Sequence, residues 1–585
     1  MLVLVCVTVL VQPATAAVRA GICLGCHGAP TAERAGAVEA RKAAFVDELV
    51  LRSSVHSDLE CADCHRDART VPHAKRLSPV DCTRCHYVQP LPPLGVAEQA
   101  VSGLHERTAD RGKLRSPACR DCHGDHNIRS PLNPPSLVSG TRAPATCGTC
   151  HEKARHDYEQ SVHGTALQAG DRSVPSCPDC HVEHPRDAGR LPDVARGGVI
   201  ATCIACHDDP GLQRRYALAG ERFATYLGTY HGAATALGSS RMANCASCHE
   251  AHLILPSSDP RSSVNHANLP HTCGHCHPGA GANFPIGTVH LRPSPTQDRA
   301  VFWVKIAYQV FIAGLMLAFL AYIGLDLLAR LRRRIAAGHR AARGEAEPEF
   351  ERLTLAQRIQ HWVLIATFLV LMFTGLPVMV PGAELSRSVV TLLGGAGARA
   401  IIHRVAALLL IGLTAFHLMY VLFSRRGYWE FRQLIPLPRD LLQLVHMLLF
   451  YSGLTETRPR FDRYNYIEKF EYLAVGWGSV VMITTGILLW SPVLTLAALP
   501  KWVMDVAVVA HGWEAIMAFL AIIIWHMYNV HFNPSVFPMS RIWLTGKIGL
   551  QELRENHPLE YERMIAHDSG NPAETQSPEP TGRSD

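Results

Sequence analysis

No cysteine follows Cys276, and no apolar run of membrane-spanning length precedes residue 300. The first absence removes covalent cysteine chemistry from the second half, and the second leaves the first half without a bilayer-crossing segment. A large charge imbalance is also missing. A net charge of +6 over 585 residues is modest, which argues against nucleic acid as a partner. Residues 18–300 contain few periodic apolar segments, so side chains alone do not supply an ordinary core there. Two unlike halves therefore meet near residue 300.

The opening MLVLVCVTVLVQPATAA is apolar, ends in small residues and is too short to span a bilayer. It reads as a secretory signal over residues 1–17, cleaved near Ala16 or Ala17, although a positively charged start is missing. Export would place residues 18–300 outside the cytoplasm.

The pattern C-x-x-C-H occurs nine times in that half. The copies are Cys23/Cys26/His27, Cys61/Cys64/His65, Cys82/Cys85/His86, Cys119/Cys122/His123 and Cys147/Cys150/His151, followed by Cys177/Cys180/His181, Cys203/Cys206/His207, Cys245/Cys248/His249 and Cys273/Cys276/His277. This spacing lets two thiols bond the vinyl groups of one haem while the adjacent imidazole takes its iron. Eighteen of nineteen cysteines are used, and the nineteenth, Cys6, lies in the signal. Zinc ribbons need four ligands but no histidine after every second cysteine. A disulfide framework would not space every cysteine in this way. Nine covalently attached c haems are expected.

A second set of histidines repeats with the first. A small residue, any residue and a histidine precede alternate motifs at His56, His105, His163 and His231, and a fifth copy, His290, follows the ninth motif. C-H-x-x-H follows at His126, His184 and His252, with His73 as the nearest equivalent in the first pair. Nine candidate distal ligands thus face nine irons, arranged as four two-haem modules and a final single one. A trailing histidine three residues after its motif points away from its own haem, so it is expected to serve another. His156, His266, His271 and His275 are left over as surface or propionate-contacting side chains. Iron with two histidines has no vacant position and suits electron transfer. The fold expected is a multihaem cytochrome c domain, short helices and loops around haems. The C-H-x-x-H habit resembles multihaem cytochromes related to the pentahaem and octahaem periplasmic families.

Beyond residue 300 the chain changes character. Apolar segments long enough to cross a membrane lie near 302–328, 360–380, 400–423, 470–491 and 506–530, predicting an all-α transmembrane helical bundle. With the haem domain outside, the first helix runs inward. Arg330, Arg332, Arg333, Arg334, Arg340 and Arg343 then fall inside, as do Arg425 and Arg426, in agreement with the positive-inside rule. The domains expected are a signal (1–17), a periplasmic nonahaem domain (18–300), a joining helix (301–330), an Arg-rich cytoplasmic linker (331–350), a four-helix di-haem domain (351–545) and a cytoplasmic, partly disordered tail (546–585).

Ionisable groups inside spans are costly and usually functional. His361, His403, His417, His511 and His526 lie in spans, with His531 just beyond the last. His511 and His526 are fifteen residues apart, about four helical turns, roughly 22 Å of rise and about 60° of residual rotation. Two b haems stacked across the membrane need such a separation.

RIQHW (358–362), HRVAALLLIG (403–412), RYNYIEK (463–469), TTGILLWSP (484–492) and HGWEAIMAFLAIIIWHMY (511–528) together resemble the di-haem cytochrome b subunit of formate dehydrogenase and nickel-iron hydrogenase. The resemblance covers about 350–545. It implies that His403 and His511 hold the haem near the periplasm and that His361 and His526 hold the one near the cytoplasm. His417, fourteen residues after His403, is the alternative to His361. The resemblance also places a quinone near Asn465, with Glu468 as a proton acceptor. The alternative for these two is an N-cap and a first-turn acid that complements the helix dipole.

The whole architecture resembles the Cbc-type inner-membrane quinol oxidoreductases of metal-respiring bacteria. That resemblance implies a quinol:cytochrome c oxidoreductase of the bacterial inner membrane. Electrons would pass from menaquinol through two b haems and nine c haems to soluble periplasmic c-type cytochromes, for anaerobic or extracellular respiration. Three other readings stay open: reverse flow from a periplasmic donor to quinone, a c-haem reductase of nitrite or a similar small substrate, and a passive conducting module. The reductase needs an open iron, often with a lysine replacing the motif histidine, and all nine motifs have histidine. A pyridine haemochrome assay of the purified protein is expected to give c and b haem in a ratio of nine to two. A lower c content would mean that some motifs are not loaded.

Overall fold

The computed structural model describes residues 20–28, 45–73, 77–86, 117–181, 194–218, 220, 222–239, 241–284, 290, 294–296, 298–337 and 348–569. The chain divides into two compact units, Met1–Gly220 with Asn244–Thr272, and Glu221–Ala243 with Cys273–Asp585. The segment around His231 and the ninth motif, both on the N-terminal side of residue 300, fall in the second unit. The proposed signal, His105, His184, Arg340 and Arg343 lie outside the described residues.

The first unit is built from short helices, from Cys61–Cys64 to Glu152–Gln160, joined by turns. The longer Val194–His207 is broken at Gly198, whose φ of 59° suits glycine. Among its described residues the buried hydrophobic side chains are Ala143, Pro144 and Leu255. Its buried polar side chains are all serines: Ser54, Ser136, Ser139, Ser161, Ser176 and Ser262. Each is tied to nearby groups, as where Ser161 Oγ donates to the Tyr158 carbonyl at 2.6 Å and accepts from Gly164 N–H at 3.1 Å. Burial of so little apolar surface cannot offset the entropy of ordering the chain. Large apolar groups other than side chains fit this design. Two equivalent backbone bonds tie the modules together, Val55 N–H to Ile128 O and Val162 N–H to Ile254 O, each 2.9 Å.

In the second unit five helices are long and apolar enough to cross a membrane: Arg299–Arg333, Leu355–Met379, Gly395–Phe423, Tyr466–Trp490 and Lys501–Phe532. They agree with the expected spans to within two turns. The second span packs on the third, and the fifth packs on the first, second and fourth. Phe319, Tyr322, Met447, Tyr451, Tyr466 and Trp525 form a buried cluster beside the fifth span. Met447 and Tyr451 belong to Pro438–Ser452, a helix the sequence reading did not anticipate. It buries Asp440 against Lys469 Nζ at 2.8 and 3.0 Å while Leu441, Leu442 and Val445 stay exposed.

Residues 546–569, the first part of the expected tail, are held by pairing and packing. Lys547–Gly549 pairs antiparallel with Glu349–Glu351, and the helix Pro558–Ser569 brings Glu560 into a buried charge cluster. Arg463 donates to Glu430 Oε2 and Oε1 at 2.9 and 2.8 Å and to Glu560 Oε1 at 2.5 Å. Arg352 donates to Glu560 Oε2 at 2.8 Å, and its backbone carbonyl accepts from Arg463 at 2.7 Å. These four charged residues are all buried, so their mutual pairing is what makes burial tolerable. Arg463→Met leaves Glu430 short of a partner and is expected to cost about 3–5 kcal/mol. Thermal unfolding of the detergent-solubilised protein reads this, and an unchanged midpoint would contradict it.

Candidate redox centres

The cysteines of each motif sit one helical turn apart, and local capping explains why the turn forms. The residue before the last cysteine accepts from the backbone just ahead of the first: Asp63 from Glu60 N–H at 2.9 Å, Asp121 from Ala118 at 2.7 Å, Asp179 from Ser176 at 2.8 Å and Ser247 from Asn244 at 3.1 Å. Each is a one-turn N-cap that holds the two thiols on one face. In the third motif Asp81 does this from outside, accepting from Thr83 N–H at 3.1 Å. No disulfide joins any of the eighteen motif cysteines. Among the described residues no three His, Cys, Asp or Glu side chains converge on one metal position.

First cysteines of successive motifs lie against each other, Cys23 with Cys61, Cys82 with Cys119, Cys147 with Cys177 and Cys203 with Cys245. Cys64 neighbours Cys85, and Cys180 neighbours Cys206. Motifs one to four, and five to eight, therefore follow one another in space in chain order. A cavity of about 490 Å³ opens over Cys150, His151 and His252, in the range of a cofactor site.

For five of the expected haem residues, Cys26, Cys122, Cys248, His123 and His249, the local helix fixes the position. Cys26 lies in Ala20–His27, one turn after Cys23, and is exposed. Cys122 and Cys248 are half-buried in Cys119–His123 and Cys245–His249, and the Cys248 carbonyl accepts from Ser263 Oγ at 2.6 Å. His123 and His249 are the last residues of those two helices, each one position beyond its second cysteine. That placement suits an imidazole reaching the iron of a haem bonded through the preceding turn.

The second set of histidines faces the first. Two imidazoles bonding one metal from opposite sides, each at about 2.0 Å, place their ring centres roughly 6 Å apart. The pairs His27–His73, His56–His86 and His65–His126 stand at 6.0, 5.7 and 6.2 Å. His163–His207, His181–His252 and His231–His277 stand at 6.3, 5.9 and 6.1 Å. These six pairs draw in the first, second, third, sixth, seventh and ninth motifs. A leading histidine such as His163 thus passes over the next motif to reach the one after it, and a trailing histidine such as His252 reaches back two motifs. Burial, with His207 second, pushes the His163 imidazole down to about 4, which keeps it neutral as a metal ligand must be. His231 is lowered for the same reason, with His277 second. His290 lies 3.2 Å from Thr225 Oγ1 through Nδ1. The residues present fit c haems.

In the second unit His403 on the third span faces His511 on the fifth at 6.4 Å. His361 on the second faces His526 on the fifth at 6.5 Å, at the other end of the bundle. Both separations fit a haem between the two rings. His417 is used differently. Its Nδ1 is 2.8 Å from Gln360 Oε1 and its Nε2 is 2.9 Å from Tyr472 Oη, so both ring nitrogens are occupied.

Supports that the sequence reading passed over surround these pairs. Thr374 Oγ1 lies 2.8 Å from His403 Nδ1, and Thr485 Oγ1 lies 2.9 Å from His511 Nδ1. The glycine after each threonine, Gly375 and Gly486, lies beside the ring, where a Cβ would stand in ordinary contact at 3.4 and 3.5 Å. The signal was the Thr-Gly dipeptide repeated in FTGL and TTGI. His526 Nδ1 instead meets Glu471 Oε2 at 3.0 Å. The fifth span also turns π-helical over Ala521–His526 and Tyr528–Phe532. Its wider turn rotates each residue by less than an α-helix does, removing part of the expected 60° offset between His511 and His526.

Asn465 and Glu468 form a reciprocal cap at the start of the fourth span. Asn465 Oδ1 accepts from Ile467 and Glu468 N–H at 2.8 and 3.2 Å, and Glu468 Oε2 accepts from Asn465 N–H at 2.9 Å. Glu468 Oε1 lies 3.5 Å from Arg352. At the opposite end of the bundle, the Tyr230 phenol beside His231 faces the Arg399 guanidinium. Arg399 donates to the Thr374 carbonyl at 2.8 Å. The contacts run without a break from the His231–His277 pair to the His403–His511 pair.

Residues 352–541 match the prokaryotic cytochrome b561 family, and residues 53–152 match the cytochrome c3 family. A comparison with curated proteins gave no match. The chain is a multihaem c-type region fused to a cytochrome b region, and it is a multi-pass membrane electron-transfer protein. His361→Ala is expected to remove one of two b haems from the absorption spectrum, while His417→Phe keeps both. Loss of a b haem in His417→Phe alone would exchange their roles.

Proposed function

We propose that this fusion oxidises menaquinol at the inner membrane and delivers the electrons outward, through two b haems and nine c haems, to soluble periplasmic c-type cytochromes. The observation that carries this reading is the chain of contacts His231, Tyr230, Arg399, Thr374, His403. It ties the last c-haem pair to one b-haem pair, so the two haem types serve one path rather than two tasks. Haem, when bound, supplies reversible one-electron reduction at each pair.

The remaining steps fall to side chains. The nine motif histidines, His123 and His249 among them, would each hold one iron from one side. His73, His105, His126, His184, His252 and His290, with His56, His163 and His231, would hold the irons from the second side and leave substrates no open position. Arg330, Arg332, Arg333, Arg425 and Arg426 stand at the bundle end that carries His361 and His526, which suits a cytoplasmic face and a periplasmic c region. Quinol enters near that end. Asn465 is the hydrogen-bond partner proposed for the quinone and Glu468 the proton acceptor, held ready by their cap. Burial raises the Glu552 carboxyl, with Arg352 opposing and Glu468 adding to the shift. A carboxyl moved toward neutral pH suits the second proton released by quinol.

The test is anaerobic mixing of oxidised protein with a menaquinol analogue, following b and c absorption separately in time. Reduction of b before c is the expected outcome. Quinol that leaves the c haems oxidised, while reduced c haems convert added quinone, would reverse the current and overturn the proposal.

A further inference from the structure

The two membrane pairs differ in what holds their outer ring nitrogens. Thr374 donates its hydroxyl proton to the Val370 carbonyl at 2.6 Å, and Thr485 donates to Val481 O at 2.6 Å. Each threonine oxygen therefore accepts from a histidine Nδ1–H as a neutral group whose own proton is already committed. Both ligands of the His403–His511 pair are treated alike. At the other pair, His526 Nδ1 meets a carboxylate, Glu471 Oε2, at 3.0 Å. Glu471 Oε1 is buried and has no hydrogen-bond partner among the described residues, so other donors do not share the carboxylate's accepting power. The nearby Lys469 ammonium is engaged by Asp440.

We infer that Glu471 sets the redox order of the two membrane centres, making the His361–His526 centre the lower in potential. The inference rests on the reading that both pairs hold b haems. A charge-assisted hydrogen bond is about twice as strong as a neutral one. By drawing on the Nδ1 proton it makes Nε2 a stronger donor, which favours the oxidised metal. Two threonine hydroxyls at the other centre do this far less. With both groups bound, one electron would pass downhill from the His361–His526 centre to the His403–His511 centre, with no bond made or broken. The field of side chains alone thus directs electrons toward Thr374, Arg399 and Tyr230. Glu471 acts as a positioning residue through His526.

The experiment is anaerobic redox titration of the purified full-length protein, with the b bands followed at low temperature. Two b midpoints are expected, and His361→Ala should remove the lower. Glu471→Gln keeps the shape but loses the charge, and should raise the lower midpoint by about 59 mV, a tenfold change in the oxidised-to-reduced ratio. Glu471→Asp, which keeps a carboxylate, should restore most of the native value if Gln loads poorly. The inference is overturned if Glu471→Gln loads haem and leaves the lower midpoint unmoved, if Glu471→Asp shifts it as far as Gln does, or if His361→Ala removes the upper one. A native protein without two b haems would instead defeat the functional reading on which it rests.

Discussion

Pairing of imidazoles across about 6 Å is the constraint on which the rest of the structure depends. Each pair joins segments far apart in the chain: His65 to His126, His181 to His252, and His403 to His511. Among its described residues the first unit buries few apolar side chains, and its serines satisfy the backbone without supplying a core. Haems bound at the motifs would supply coordination and porphyrin surface where these residues offer little hydrophobic packing, which would tie folding of this unit to haem attachment. Spacing that reaches over one motif or back by two also interlocks the modules, so none is complete alone.

The membrane unit uses the same pairing within an ordinary helical bundle. Buried charge is concentrated at one end, where Arg352, Glu430, Arg463 and Glu560 bind one another and fix the loop before the fourth span. That loop carries Asn465 and Glu468, so the charge cluster orients the residues proposed to meet quinone. At the other end the segment around His231 rests on the second span, with Tyr230 against Arg399. One end of the bundle thus gathers the buried charge, and the other carries the segment around His231.

The local parts were legible in the sequence because they depend on short spacing. C-x-x-C-H, the alternating extra histidines and the five apolar runs each state their chemistry within short stretches. Positions such as Cys26, Cys122 and His249 follow from one helical turn and need nothing more. Which histidine faces which was not legible, since it depends on how modules overlap in space. The π-helical turn before His526 was hidden as well, because AIIIWH reads equally well as an α-helix. Thr374 and Thr485 were visible only as Thr-Gly dipeptides inside apolar runs, and Glu471 only as an acid in a span's first turns. The pairing of Glu560 was not legible because its partners, Arg352 and Arg463, lie far back in the sequence.

The central claim is that every haem iron is held between two histidines. Electron paramagnetic resonance and near-infrared magnetic circular dichroism of the oxidised full-length protein test it most directly. The account predicts low-spin signals and charge-transfer bands of bis-imidazole iron alone, for c and b haems alike. High-spin signals, or bands of iron held by methionine or lysine, would contradict it and reopen the reading of a substrate-reducing haem.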